Sequence, residues 1–69
     1  METLCNNVKK LRAEKGLSQE KLANMVGVTR QTIVSLEKGN YIPSLLLAMN
    51  IADALGRPID AIFEREESK

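Results

Sequence analysis

Residues 18–38 read SQEKLANMVGVTRQTIVSLEK. Ser18 can cap one short helix, and Thr29 can cap a second helix that runs to about Lys38. Gly27 lies between the two helices and can adopt the positive φ that a sharp turn requires. The pattern therefore predicts two helices that cross at a tight corner, which is a helix-turn-helix.

The side chains of this segment suit such a corner. Ala23 is small enough for the following helix to cross closely, while Val28 and Ile33 can fill the space beneath the turn. The polar residues that are expected to face outward are Arg30, Gln31, Thr32 and Ser35. A short helix with an exposed polar N-terminal face can reach base edges in DNA.

Helical spacing of apolar residues continues on both sides of this segment. Before it, Leu4 and Leu11 lie on one stripe of a first helix that is expected to end near Lys15. After it, the pattern predicts a fourth helix over about 44–55 and a short fifth helix over 59–63.

The expected fold is therefore a single all-α domain of five short helices that spans residues 1–69. The helix-turn-helix occupies about residues 18–38, and the fifth helix and the tail occupy 58–69. From Arg65 onward the tail has no apolar residue, so it is expected to fray.

Composition argues against several classes of function. One cysteine and no histidine among 69 residues disfavour zinc sites and histidine-based acid–base chemistry. With no glycine-rich phosphate loop and no recognisable carboxylate pair, we expect no enzyme activity, no cofactor and no metal. No apolar run approaches the roughly 18 residues of a membrane span, and the first residues lead us to expect no secretory signal. A cytoplasmic domain that does not bind membranes is expected.

The net charge of +1 conceals an uneven distribution. Residues 1–43 carry seven Lys or Arg against four Glu, a net of +3. Residues 44–69 carry three Lys or Arg against five Asp or Glu, a net of −2. The basic N-terminal part suggests an anionic partner, with an ordinary solvated surface as the alternative.

Taken together, these motifs resemble the Cro/phage-repressor (XRE) helix-turn-helix family. The residues that carry the resemblance are Leu11-Arg12, Gly16–Ala23, Val26–Ile33, Leu36–Gly39, Pro43–Leu45, Ile51–Gly56 and Ile59–Phe63. The likeness covers nearly the whole chain and points to stand-alone regulators without an effector domain. It implies a lambda-repressor-like fold, and such compact relatives leave open a short strand pairing between residues 2–5 and 63–66.

The resemblance also implies roles for individual residues. Gln31 is the best candidate for base readout, because its amide can pair with adenine N6 and N7. Arg30, Thr32 and Ser35 would contact bases beside it. Phosphate contacts are expected from Gln19, Thr29, Lys38, Asn40 and Tyr41, although Tyr41 can instead pack on the core.

Two further features concern assembly and positioning. Arg12 and Glu37 resemble an ion pair of the family that links the first helix to the end of the third and positions the recognition helix. The residues expected to form an apolar dimer contact are Leu46, Ile59, Ile62 and Phe63.

The sequence therefore predicts a sequence-specific transcriptional regulator, a repressor, that binds double-stranded DNA as a homodimer. Its third helix would enter the major groove of a roughly palindromic operator. The alternative is a protein-interaction module, such as the antitoxin of a two-protein system. That alternative predicts co-purification with a different small protein.

Overall fold

Five helices and two short strands make up residues 2–67, the part of the chain that the computed structural model describes. In chain order they are β1 (Glu2–Asn6), α1 (Val8–Glu14), α2 (Gln19–Val26), α3 (Arg30–Glu37), α4 (Leu45–Leu55), α5 (Ile59–Ile62) and β2 (Phe63–Glu67). The five predicted helices are confirmed, and so is their order along the chain.

The corner between α2 and α3 has the predicted local chemistry. Ser18 Oγ accepts the Lys21 N–H at 3.0 Å, and Thr29 Oγ1 accepts the Thr32 N–H at 3.3 Å. Gly27 has a φ of 77°, in the left-handed region where a residue with a Cβ is strained. Each helix therefore starts at a side-chain cap, and the turn between them depends on glycine.

The two ends of the chain pair as an antiparallel sheet, with Leu4 opposite Arg65 and Asn6 opposite Phe63. This pairing confirms the strand contact that the sequence left open. The prediction that the tail frays is wrong for residues 65–67, which belong to β2. Its last two residues, 68 and 69, lie outside the described part of the chain.

Leu4 belongs to β1 and not to the first helix, which corrects the prediction from helical spacing. The start of α1 is set locally. Asn6 Oδ1 accepts the N–H of Val8 at 3.2 Å, and this turn separates the strand from α1. Phe63 likewise begins β2 instead of ending the fifth helix.

The core lies where the five helices meet. Its largest fully buried side chains are Val8, Leu22, Ile33, Leu36, Ile51, Leu55 and Ile62. Two of them, Ile33 and Leu36, come from α3, so this helix is held against the domain from one side. Its other side remains at the surface.

Candidate nucleic-acid interface

The predicted base-reading residues lie together on the outer side of α3: Arg30, Gln31, Thr32 and Ser35. The first two are exposed and the last two are half-buried. Ile33 and Leu36 anchor the opposite side of the helix at 0% exposure. A helix anchored along its inner side therefore carries four polar side chains on its outer side, two of them exposed and two half-buried.

Hydrogen bonds along this face are few and weak. Gln31 Nε2 donates to Ser35 Oγ at 3.4 Å, one turn further along the helix. A bond of this length between exposed groups is easily exchanged for a bond to a ligand. Thr29 is more firmly engaged, since its hydroxyl accepts the Thr32 N–H and lies 3.1 Å from the Thr32 hydroxyl.

Besides Thr29, the residues predicted to contact phosphate separate into two groups. Lys38 follows the last residue of α3, and Asn40 and Tyr41 lie in the exposed loop beyond it. Gln19 is different, because it is half-buried and its Nε2 donates to Glu37 Oε1 at 3.1 Å. The loop residues are accessible to a ligand, whereas one of the two N–H groups of the Gln19 amide is already bonded within the fold.

An ion pair between Arg12 and Glu37 fixes the end of α3. Arg12 Nε lies 2.7 Å from Glu37 Oε2, and Arg12 Nη2 lies 3.3 Å from Glu37 Oε1. Arg12 Nη1 also donates to the carbonyl oxygen of Leu17 at 2.7 Å. The side chains of Arg12 and Glu37 are only 13% and 4% exposed. With Gln19, this network joins α1, the following loop and α2 to α3.

Large apolar side chains are exposed along one short segment. Tyr41, Ile42, Leu45, Leu46 and Met49 are between 41% and 77% exposed. Leu45, Leu46 and Met49 share the side of α4 that faces away from the core, and Ile42 lies in the loop just before this helix. We call Ile42, Leu45, Leu46 and Met49 the apolar surface.

The apolar surface differs from the dimer contact expected from the sequence. Leu46 is exposed as required, at 68%. Ile62 is 0% exposed, so its assignment to a dimer contact is wrong. It lies on the inner side of α5 and packs in the core. Phe63 is half-buried and packs against the core, and Ile59 is half-buried as well.

Two capped helices that cross at a glycine turn, with a polar face exposed on the second, define a helix-turn-helix domain. A family model described as Helix-turn-helix matches residues 8–62. The chain belongs to this XRE-type family, and it is a transcriptional regulator with a DNA-binding fold and not an enzyme.

The matches to known relatives cover most of the chain. The HTH-type transcriptional regulator YgzD of Bacillus subtilis (strain 168) is 55% identical over 62 residues, which is 90% of this chain and 94% of that protein. The cryptic phage CTXphi transcriptional repressor RstR of Vibrio cholerae is 33% identical over 63 residues, or 91% of this chain and 57% of that protein.

A solved structure is also similar. The restriction-modification controller protein C.AhdI from Aeromonas hydrophila has a TM-score of 0.75 at 34% identity. The match covers 80% of this chain and 83% of that one. Among the described residues, none of the helices has the length and apolar character needed to cross a membrane.

Proposed function

We propose that the protein is a repressor that binds a roughly palindromic operator in double-stranded DNA as a homodimer. The observation that carries the proposal is the outer face of α3, where Arg30 and Gln31 are exposed at the start of a capped helix. The N-terminal residues of a recognition helix are the ones that reach base edges in the major groove.

Each side chain of this face has a proposed contact. Gln31 pairs with adenine through its amide, and Arg30 binds guanine or a phosphate. Thr32 and Ser35 are shorter and contact a thymine methyl group or a base edge. These contacts read sequence, whereas contacts to the backbone set the position of the protein on the duplex.

Contacts to the phosphate backbone of DNA are proposed for residues at both ends of α3. Lys38, Asn40 and Tyr41 lie beyond its C-terminal end and are exposed. Thr29 lies at the N-terminal end, where its hydroxyl already serves as the helix cap. Gln19 uses one N–H of its side-chain amide to donate to Glu37, which leaves the second N–H to donate to a phosphate.

The proposal of a homodimer rests on the apolar surface. Its four side chains expose roughly 500 Å², which matches the largest patch on a typical monomer. Two copies in contact would bury about 1,000 Å², the lower limit for a specific interface. The surface follows closely on the end of α3, so pairing would also fix the distance between two recognition helices.

The lack of charge around the apolar surface favours a second copy of the chain as the partner that covers it. No charged residue occurs between Lys38 and Asp53. In a contact with two-fold symmetry, a charge near the axis meets its own copy and is repelled. A segment without charge avoids that cost. The two α3 helices would then reach half-sites about one DNA turn apart, on the order of 10 base pairs.

Leu46→Glu is expected to convert the homodimer to a monomer while the fold is retained. The side chain is 68% exposed, and a carboxylate is favourable in the first turn of α4. Sedimentation velocity gives the oligomeric state, and circular dichroism gives the fold. Affinity for the operator should fall by at least about tenfold because the second half-site contact is lost.

Met25→Glu is the control for Leu46→Glu. Met25 is 48% exposed on α2, outside the apolar surface, so this variant should remain a dimer. A Leu46→Glu protein that still sediments as a dimer would place the contact elsewhere on the chain.

Selection of bound duplexes from a random DNA pool tests the proposed function as a whole. The expected result is a palindromic consensus whose affinity falls steeply with salt, as phosphate contacts require. Cloning this site over a promoter then distinguishes repression from activation. If a folded, dimeric protein enriches no sequence, direct readout by α3 is excluded, and a different small protein becomes the partner to seek.

A further inference from the structure

Asn6, the last residue of β1, connects the terminal sheet to the end of α3. Its Nδ2 donates to the carbonyl oxygen of Leu36 at 2.8 Å, across 30 positions of sequence. Its Oδ1 accepts the N–H of Val8 at 3.2 Å. The side chain is half-buried, so water competes poorly for these two bonds.

The Leu36 carbonyl is one of the last in α3, where helical partners for carbonyl groups run out. It also accepts the N–H of Gly39 at 3.0 Å, so the bond from Asn6 occupies its second lone pair. The next residue, Glu37, binds Arg12. The end of α3 is therefore held from two directions, by α1 through Arg12 and by β1 through Asn6.

The strand that carries Asn6 is itself anchored. The N–H of Asn7 donates to the Ile62 carbonyl at 2.8 Å, and Asn7 Nδ2 donates to the Ala61 carbonyl at 3.3 Å. The first, a backbone bond, holds the junction of β1 and α1 against α5, whereas the side-chain bond is longer and exposed and adds little. Asn6 therefore connects α3 to the region where the two ends of the chain pair.

We propose that Asn6 is a positioning residue for DNA recognition, which acts through the Leu36 carbonyl on the orientation of α3. The inference rests on the proposed function of α3. Lys38 lies directly beyond this end of the helix, so a shift here moves a phosphate contact relative to Gln31. A tilt of about 5° over an eight-residue helix displaces its end by about 1 Å, more than a hydrogen bond to a base tolerates.

The experiment compares Asn6→Ala, Asn6→Asp and Asn7→Ala. Asn6→Asp keeps the acceptor for Val8 but removes the donor to Leu36, and its added negative charge weakens binding to both duplexes, so the ratio of the two affinities isolates the bond to α3. Asn7→Ala removes the same type of side chain from the adjacent position, where it contacts α5 and not α3. Affinity is measured for the selected operator and for an unrelated duplex, at a temperature where all variants are fully folded.

Asn6→Ala should lose roughly fivefold in affinity for the operator and bind the unrelated duplex as the wild type does, and Asn6→Asp should show the same roughly fivefold fall in the ratio of the two affinities. Asn7→Ala should keep both affinities, even if its melting temperature falls as far. A purely structural role predicts equal losses for Asn6 and Asn7 variants, and that result would overturn the proposal. So would an unchanged ratio of operator to unrelated affinity in both Asn6 variants.

Hydrogen exchange without DNA separates this inference from the proposed function. Loss of the bond from Asn6 should speed exchange of the Gly39 and Asn40 amides, which close the end of α3. Unchanged exchange in Asn6→Ala would overturn the connection between β1 and α3. If exchange accelerates but the wild type selects no operator, the connection stands, whereas the proposed function and the role of Asn6 in recognition fail.

Discussion

Replacing Glu37 by alanine should lower the free energy of unfolding by about 3 kcal/mol and the melting temperature by roughly 15 °C. The carboxylate accepts bonds from Arg12 and Gln19, and its side chain is 4% exposed. The substitution leaves the Arg12 guanidinium, itself 13% exposed, without its counter-charge. Thermal melts followed by circular dichroism measure the effect.

Glu14→Ala is a matched control. Glu14 and Glu37 are each the last residue of a helix, so both substitutions change the charge at a helix end. Glu14 lies 3.6 Å from Arg57, but both side chains are about half exposed, at 49% and 53%. An exposed pair contributes little, and we expect a change below about 0.5 kcal/mol.

Glu37→Ala should also weaken binding to the operator at temperatures where the variant is folded, because the end of α3 loses its connection to α1. Equal melting temperatures for Glu37→Ala and the wild type would contradict the role given to the ion pair. Equal losses in Glu37→Ala and Glu14→Ala would mean that charge at the helix end, and not the buried pair, accounts for the effect.

Helix starts could be predicted from the sequence because capping is local. Ser18 and Thr29 each accept the N–H three residues later, as predicted from the sequence, and Ser44 does the same at the start of α4. The strands could not be derived in this way. Leu4 is spaced from the following apolar residues as in a helix, and its pairing with Arg65 depends on contacts 61 positions apart.

The candidate site likewise has features that follow from local sequence and features that depend on long-range contacts. The outward face of α3 follows from helical periodicity, so the exposure of Arg30 and Gln31 could be predicted from the sequence, while their contact with bases stays a prediction. The bonds of Gln19 to Glu37 and of Asn6 to Leu36 join distant segments, and no local pattern indicates them. Ile62 was misassigned because an apolar residue in a short amphipathic helix can face either the core or a partner.

Gln31→Ala should lower operator affinity and remove the preference for one base pair in each half-site, without affecting the fold. A bidentate contact to adenine discriminates by about 1–3 kcal/mol, and a homodimer loses it in both half-sites, so operator affinity should fall about 100-fold. Gln31 is exposed and its bond to Ser35 is 3.4 Å long, so the melting temperature should stay unchanged. Titration against the operator and against single-base variants measures the loss.

Comparison of Lys38→Ala with Gln31→Ala distinguishes base readout from binding to the DNA backbone. Loss of a phosphate contact should weaken binding to every duplex and reduce the slope of log affinity against log salt by about one per half-site. Gln31→Ala should leave that slope unchanged and relax the preference at one symmetric pair of positions. If the preference persists at every position, Gln31 does not read a base, and Arg30 is the remaining long side chain at the start of α3 that can.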